Sequence, residues 1–109
     1  METVVIESPF SGDVNKNLRY LRACMGDSLK RGEAPFASHG LYTQPGVLDD
    51  EIPEERNHGI QAGFEIGKRL DITAVYTDLG ITKGMEYGIK EALSCGRPIV
   101  YRKLENWKE

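Results

Sequence analysis

Residues 72–80 read Ile-Thr-Ala-Val-Tyr-Thr-Asp-Leu-Gly and contain the clearest strand signal in the chain. The first five are rich in β-branched and aromatic residues, and the Thr-Asp-Leu-Gly segment that follows is typical of a turn. A second β-branched run, Val4 to Ile6, ends at residues 8–12, which read Ser-Pro-Phe-Ser-Gly and also predict a turn. These two strands are the frame around which the other elements are predicted.

Helices and further strands are predicted on either side of this frame. Apolar residues recur at helical spacing over residues 14–29, from residue 53 onward, and over residues 85–92. Short strands are predicted at residues 34–37 and 97–101. The order strand, helix, strand, loop, helix, strand, helix, strand implies parallel strands joined by right-handed crossovers, with helices covering the sheet.

Local signals mark the helix ends. Asp13 is the expected N-cap of the first helix, and Gly32 lies just past its end. Asp49 or Asp50 is the expected cap of the second helix, whose first turn then begins at Pro53.

The composition bounds the class of protein. The 109 residues, with 39% apolar residues, 28% charged residues and a net charge of −3, predict a single globular domain over residues 1–109. No run approaches the roughly 20 apolar residues of a membrane span, and the acidic balance argues against a nucleic-acid polymer as partner. Cys24 and Cys95 form no disulfide framework or metal motif, and no export signal opens the chain, so a cytoplasmic location is expected.

The second helix carries Gly59, Gly63 and Gly67 at intervals of one helical turn. A glycine inside a helix costs about 1 kcal/mol relative to alanine. The stripe therefore predicts that another segment of backbone lies close to this face of the helix. Tight packing of the helix on the sheet is the first interpretation, and a seam between copies of the chain is the second.

A small-molecule site is predicted at one edge of the sheet. Ligands of open parallel sheets bind beyond the carboxyl ends of the strands. Residues 8–13, 38–42 and 77–86 meet there, and the polar residues and glycines are concentrated in them. Residues 38–52 also form the longest irregular stretch, a length that usually has a functional reason in a compact domain.

The first two of these segments allow more than one interpretation. Backbone donors near the start of the first helix favour a phosphate or carboxylate ligand, but a plain turn capped by Asp13 explains the same residues. His39 and Tyr42 follow the second strand, and a single histidine in a loop is more often structural than catalytic. His39 and His58 show no metal-ligand spacing, so neither a metal nor a cofactor is expected.

Asp78 and Glu86 bracket the loop before the last helix. The helix dipole stabilises an ionised Glu86 in the first turn. An ionised carboxylate in a pocket can attack an anomeric carbon or stabilise an oxocarbenium ion. Glutamate is also favoured in first turns for stability alone, and without further observations that explanation suffices.

Three stretches together resemble the nucleoside 2-deoxyribosyltransferase-like proteins, which include small deoxynucleoside 5′-monophosphate N-glycosidases. They are residues 6–12 (I-E-S-P-F-S-G), Asp71 before its strand, and residues 84–98 (G-M-E-Y-G, then A-L-S-C-G-R-P). The resemblance implies an α/β fold with a small flavodoxin-like parallel sheet of about four to five strands and helices on both faces. It also implies cleavage or exchange of an N-glycosidic bond by a glutamate near the start of the last helix.

The resemblance supports two alignments of that glutamate. By the local motif, Glu86 matches the nucleophile, and Asp78 matches an acidic residue that orients the sugar or the base. Spacing measured back from the glycine before the last strand instead points to Gly88, which is about 200° around the helix from Glu86. The usual tyrosine of the first-strand motif is not evident, and Glu7 has a neighbouring position.

The resemblance also implies a set of residues that bind the substrate. They are Ser8, Pro9, Phe10, Ser11, Gly12, His39, Tyr42, Gly84 and Met85. The implied ligand is a nucleoside or nucleotide, held without a cofactor, in a homo-oligomer (dimer or higher) whose subunits complete each other's sites. Two functions are expected: an N-deoxyribosyltransferase or N-glycosidase, or a noncatalytic protein that binds or sequesters a nucleotide derivative.

Overall fold

The computed structural model describes residues 1–108, in which four strands alternate with four helices. The strands are β1 (Thr3–Glu7), β2 (Ala34–Phe36), β3 (Ile72–Tyr76) and β4 (Ile99–Arg102). The helices are α1 (Val14–Lys30), α2 (Ser38–Leu41), α3 (Pro53–Gly67) and α4 (Lys83–Ser94). Within residues 1–108, no helix combines the length and the apolar character that crossing a membrane requires.

The four strands form one parallel sheet in the order β2-β1-β3-β4. Val4 of β1 pairs with Ile72 of β3, and Thr73 of β3 pairs with Ile99 of β4. The chain moves outward from β1 to β2 and then returns past β1 to β3, so the direction of winding reverses between β1 and β3. This arrangement is flavodoxin-like and confirms the predicted α/β class.

Helices cover both faces of the sheet because successive strand residues point to opposite sides. Val4 and Ile6 belong to the larger core cluster, which α1 covers. Val5 and Glu7 point to the other face, where α3 and α4 pack. There a Cβ atom added to Gly67 of α3 would lie 3.5 Å from Val5 Cγ2.

The helix caps follow the sequence in one case and depart from it in another. Asp13 caps α1, as predicted, by accepting a hydrogen bond from the backbone of the first turn at 3.2 Å. The prediction that Asp49 or Asp50 caps α3 is wrong, because Ile52 is the N-cap residue and provides no side-chain bond. The Asp49 carboxylate instead accepts a hydrogen bond from the backbone of Glu51 at 3.0 Å.

The stretch 38–52 is less irregular than predicted, since it begins with the helical turn α2. The backbone N–H of Tyr42 donates to the carbonyl of Ser38 at 2.9 Å, which closes this turn. Gly40, a residue that disfavours helices, lies within α2. The turn matters for the site because it fixes the backbone at His39.

The glycine stripe of α3 packs inside the chain, but only Gly67 packs on the sheet as the first interpretation has it, whereas Gly63 and Gly59 pack on α2 and on the loop after it. A Cβ atom at Gly63 would lie 2.5 Å from Ser38 Oγ and 2.7 Å from Ser38 Cβ. A Cβ atom at Gly59 would lie 3.1 Å from Leu48 Cδ1. The stripe therefore lets α3 approach α2 and the loop after it, and a seam between copies of the chain stays a prediction.

Two glycine-to-alanine changes should have opposite effects on stability. Gly63→Ala should lower the free energy of unfolding by about 1–3 kcal/mol, because the new methyl group overlaps Ser38. Gly26→Ala, inside α1 with no atom within 4 Å of the added Cβ, should raise it by about 0.5–1 kcal/mol. Urea unfolding of both variants measures the difference. A Gly63→Ala protein as stable as the Gly26→Ala protein would contradict the close packing of α3 on α2.

The residues after β4 return to α1. The Trp107 ring meets the Tyr20 ring edge to face, with the ring centroids 5.1 Å apart. The backbone N–H of Leu104 donates to the Asp78 carboxylate at 3.0 Å. Trp107 therefore packs against the body of the domain.

Candidate functional site

A cleft opens at the carboxyl ends of β1 and β2. The loop after β1 and helix α2 form one wall, the loop before α3 and its first turns form a second, and the first turns of α4 form a third. It contains about 830 Å³ of space between atoms, part of it open to solvent. The cleft lies where the sequence predicts a small-molecule site.

Seven of the predicted binding residues line this cleft: Ser8, Phe10, Ser11, His39, Tyr42, Gly84 and Met85. Pro9 and Gly12 are not among the lining residues. Gly12 has a φ of 101°, a backbone conformation that favours glycine, and it forms the turn into α1. The fold thus brings the loop after β1, α2 and the start of α4 together, while binding by these residues stays a prediction.

Asp78 faces α1 and does not line the cleft. Its carboxylate accepts a hydrogen bond from the Tyr20 hydroxyl at 2.5 Å and another from the backbone of Leu104. Its own backbone N–H donates to the Tyr20 hydroxyl oxygen at 2.9 Å. Asp78 therefore joins the loop after β3 and the carboxyl-terminal residues to α1, and its position gives no support to the substrate role expected for it.

Glu86 is exposed in the first turns of α4 and does not line the cleft. The side of α4 that faces the cleft presents Gly84, Met85, Tyr87 and Gly88. Glu86 is two residues from Gly88 and therefore about 200° around the helix. Its role as nucleophile stays a prediction, and its position in this chain does not favour that role.

Ser8 and His39 form a hydrogen-bonded pair at the inner wall, with Oγ and Nε2 2.8 Å apart. Burial lowers the pKa of His39 to about 4, so the imidazole is neutral at neutral pH. The Thr43 hydroxyl donates to the carbonyl of His39 and fixes the end of α2. The pair connects the loop after β1 to α2, and it can offer a ligand either a donor or an acceptor.

Glu7 is the main residue of the cleft that sequence reasoning left out of the site. Its side chain is aimed at α4, and a Cβ atom at Gly88 would overlap its carboxylate, with Oε1 only 2.6 Å away. Within residues 1–108, the carboxylate accepts no hydrogen bond. A signal existed in the sequence, since an acidic residue at the end of an apolar strand and before a turn is unusual in a sheet covered on both faces.

The surroundings of Glu7 change its protonation. Burial raises the pKa of Glu7 from 4.5 to about 8, and the positive charge of Arg97 opposes part of this rise. Arg97 is itself buried and held in position, donating to the Thr73 hydroxyl and to the carbonyl of Gly67, each at 2.7 Å. At neutral pH, Glu7 therefore retains a proton in the protein alone.

The outer wall contains residues that are not among the predicted binding residues. Arg56 of α3 lies 4.0 Å from a carboxylate oxygen of Asp50, and both line the cleft. The remaining unassigned lining residues come mainly from α3, the loop before it and α4: Ser38, Thr43, Leu48, Glu55, Gly59, Ile60, Phe64, Thr82 and Tyr87. Within residues 1–108, no group of three or more side chains could hold a metal ion.

Comparison with solved structures gives a fold relative. The structure of a 2-deoxyribosyltransferase from the psychrotolerant bacterium Bacillus psychrosaccharolyticus matches with a TM-score of 0.62 at 17% sequence identity. The match covers 98% of this chain and 76% of that chain. At this identity, the likeness establishes the fold.

Comparison of sequences gives the family. No curated protein matches the chain significantly. A family model described as a domain of unknown function, DUF7768, matches residues 2–102, almost the whole domain seen in the structure. The chain belongs to the DUF7768 family.

Proposed function

We propose that the cleft binds a nucleoside or nucleotide and acts on its N-glycosidic bond, as an N-deoxyribosyltransferase or an N-glycosidase. The observation that carries the proposal is Glu7, a partly buried carboxyl group that accepts no hydrogen bond within residues 1–108 and lines the cleft. The fold shared with a 2-deoxyribosyltransferase supports the same class of substrate.

The walls of the cleft suit the parts of such a ligand. Phe10, Tyr42 and Phe64 provide apolar and aromatic surface for a planar base. The hydroxyls of Ser8 and Ser11 can bond to sugar oxygens or to a group at the 5′ position. The cleft therefore combines a large apolar surface with a few polar groups, as small-molecule sites generally do.

A carboxylate in such a cleft allows a two-step reaction. It bonds to the anomeric carbon as the bond to the base breaks, and the resulting glycosyl ester is then resolved. Attack by a second base gives transfer, and attack by water gives hydrolysis. The same first step serves both activities, so the structure of the cleft is compatible with either outcome.

Incubation with a panel of deoxyribonucleosides and their 5′-monophosphates should release free base, or exchange it when a second base is added. Chromatography of the mixture detects both products, and thermal shifts with the same compounds report binding. The corresponding ribonucleosides serve as matched substrates that differ by one hydroxyl group. If no compound shifts the unfolding temperature and none loses its base, the proposal is wrong.

A second candidate function is binding without catalysis. It is favoured by Gly88, which provides no side chain at the position that spacing assigns to the nucleophile, and by Glu86, which lies outside the cleft. Such a protein would sequester or sense a nucleotide derivative. Thermal shifts without any released base would favour this function over the first.

A further inference from the structure

The cleft contains three acidic residues, and they differ in their partners. Asp50 lies within ion-pair distance of Arg56. Glu55 accepts a hydrogen bond from the backbone of Asp49 at 3.0 Å. Glu7 has neither kind of contact within residues 1–108, so it is the acidic residue of the described cleft without a hydrogen-bond or ion-pair partner.

The space around the Glu7 carboxylate depends on a glycine in another element. Any side chain at position 88 would start inside the volume that this carboxylate occupies. Gly88 is buried in the face of α4 that packs over the end of β1. A glycine in a helix interior lowers helix stability by about 1 kcal/mol, and here it leaves room for the Glu7 carboxylate.

We propose that Glu7, at the end of β1, supplies the carboxylate that reacts with the sugar, and that Gly88 is required to make room for it. This inference rests on the proposed function. It assigns the reactive group to a strand rather than to the first turns of α4, where the resemblance had suggested Glu86.

The reaction then proceeds with every bond accounted for. An oxygen of ionised Glu7 forms a bond to C1′ while the bond from C1′ to the base nitrogen breaks. The electron pair of the broken bond stays on the base, which takes a proton from water. In the second step, water or another base bonds to C1′ as the Glu7 carboxylate leaves, and the attacking molecule, whether water or base, releases a proton to solvent.

Burial of Glu7 gives this step a characteristic pH dependence. Its pKa of about 8 means that the reactive, ionised form increases as the pH rises towards that value. The charged group that acts on Glu7 is Arg97, just before β4, and His39 of α2, which lines the same cleft, is neutral because burial lowers its pKa. The residues of α4 that face Glu7, Met85 and Gly88, do not titrate. The rate should therefore rise through the pKa of Glu7.

The first test compares two glutamine variants, one at the end of β1 and one just before the strand begins. Glu7→Gln keeps the size of the side chain and should lower base release by roughly 10³-fold or more, while thermal shifts with nucleotides remain. Glu2→Gln, at the exposed beginning of the chain, should behave like the native protein. The pH dependence of the native rate should disappear from any residual activity of Glu7→Gln.

The second test locates the covalent bond. A slowly reacting 2-fluoro-arabinosyl nucleoside should leave its sugar on the protein, and peptide mapping by mass spectrometry should find it on Glu7. If the native protein releases base, two results overturn the role of Glu7 and leave the proposed function intact. One is attachment of the sugar to Glu86, and the other is full activity of the Glu7→Gln variant. A native protein that binds nucleotides but releases no base overturns both.

Discussion

The Glu7→Gln protein should be more stable than the native protein at alkaline pH, and the difference should vanish in acid. An unfolded chain loses the proton of Glu7 near pH 4.5, whereas the folded chain retains it up to about pH 8. Between these values the native state binds more protons than the unfolded state, so the stability of the native protein falls as pH rises. Because glutamine does not ionise, the stability of the variant does not fall in this way as the pH rises.

The effect should amount to several kcal/mol, since each unit of pKa difference corresponds to about 1.4 kcal/mol. Denaturant unfolding across the range from below pH 4.5 to above pH 8 measures it in both proteins. His39 contributes a separate loss of stability in acid, because its folded pKa lies below 6.5, but this contribution is the same in both proteins and cancels. Parallel stability curves would show that Glu7 is not buried as described.

The Arg102→Met variant should lose about 3–5 kcal/mol of stability, because it leaves the Glu33 carboxylate buried and unpaired. Two nitrogen atoms of Arg102 donate to the two carboxylate oxygens of Glu33, at 2.8 and 2.7 Å. The Ser28 hydroxyl donates to the same carboxylate at 2.7 Å. The two side chains are only 10% and 11% exposed, so solvent cannot replace the lost partner. A domain is typically stable by about 5–15 kcal/mol, so the variant should be close to unfolding.

The double variant Glu33→Gln/Arg102→Met should be more stable than Arg102→Met, since it removes the unpaired charge and keeps an acceptor for Ser28. Lys68→Met, which breaks an exposed ion pair with Glu65, should change stability much less. Urea unfolding of the three variants tests this order. The hydrogen bonds from Arg102 hold the pKa of Glu33 below 4.5, so the contribution of the pair is present above that pH and is lost as the pH falls below it. Equal stability of Arg102→Met and Lys68→Met would contradict the burial of the pair.

Local patterns predicted much of the fold. The β-branched runs that become β1 and β3, and the helical spacing over α1 and α4, are signals carried by neighbouring residues. The turn α2 was missed because Gly40 is a poor helix residue, yet the backbone bonds of that turn form around it. The cap of α3 was predicted wrongly because the Asp49 carboxylate is engaged within its own loop. The elements with strong local signals were therefore predicted correctly. The turn α2 and the cap of α3 depend on contacts that the local pattern does not show.

Some residues of the site were also predicted correctly from the sequence, and others were not. Ser8, His39 and Tyr42 were predicted because parallel strands bring their following loops to one edge of the sheet, whatever the details of packing. Asp78 and Glu86 satisfied the same rule but lie outside the cleft. Their loop and helix present other residues to it, and a position along the chain does not determine which side of a helix faces inward.

The sequence by itself determined the class of this protein: alternating strands and helices, a parallel sheet, and a ligand site at the ends of the strands. Those properties follow from periodicity and from the handedness of the connections. Only the tertiary structure decided which carboxyl group of the described cleft lies there without a hydrogen-bond partner. Glu7 is distinguished by burial, by the absence of a hydrogen-bond donor and by the space that Gly88 leaves, and all three arise where β1 packs against α4. Packing between elements distant in the chain sets these properties, and local sequence does not record them.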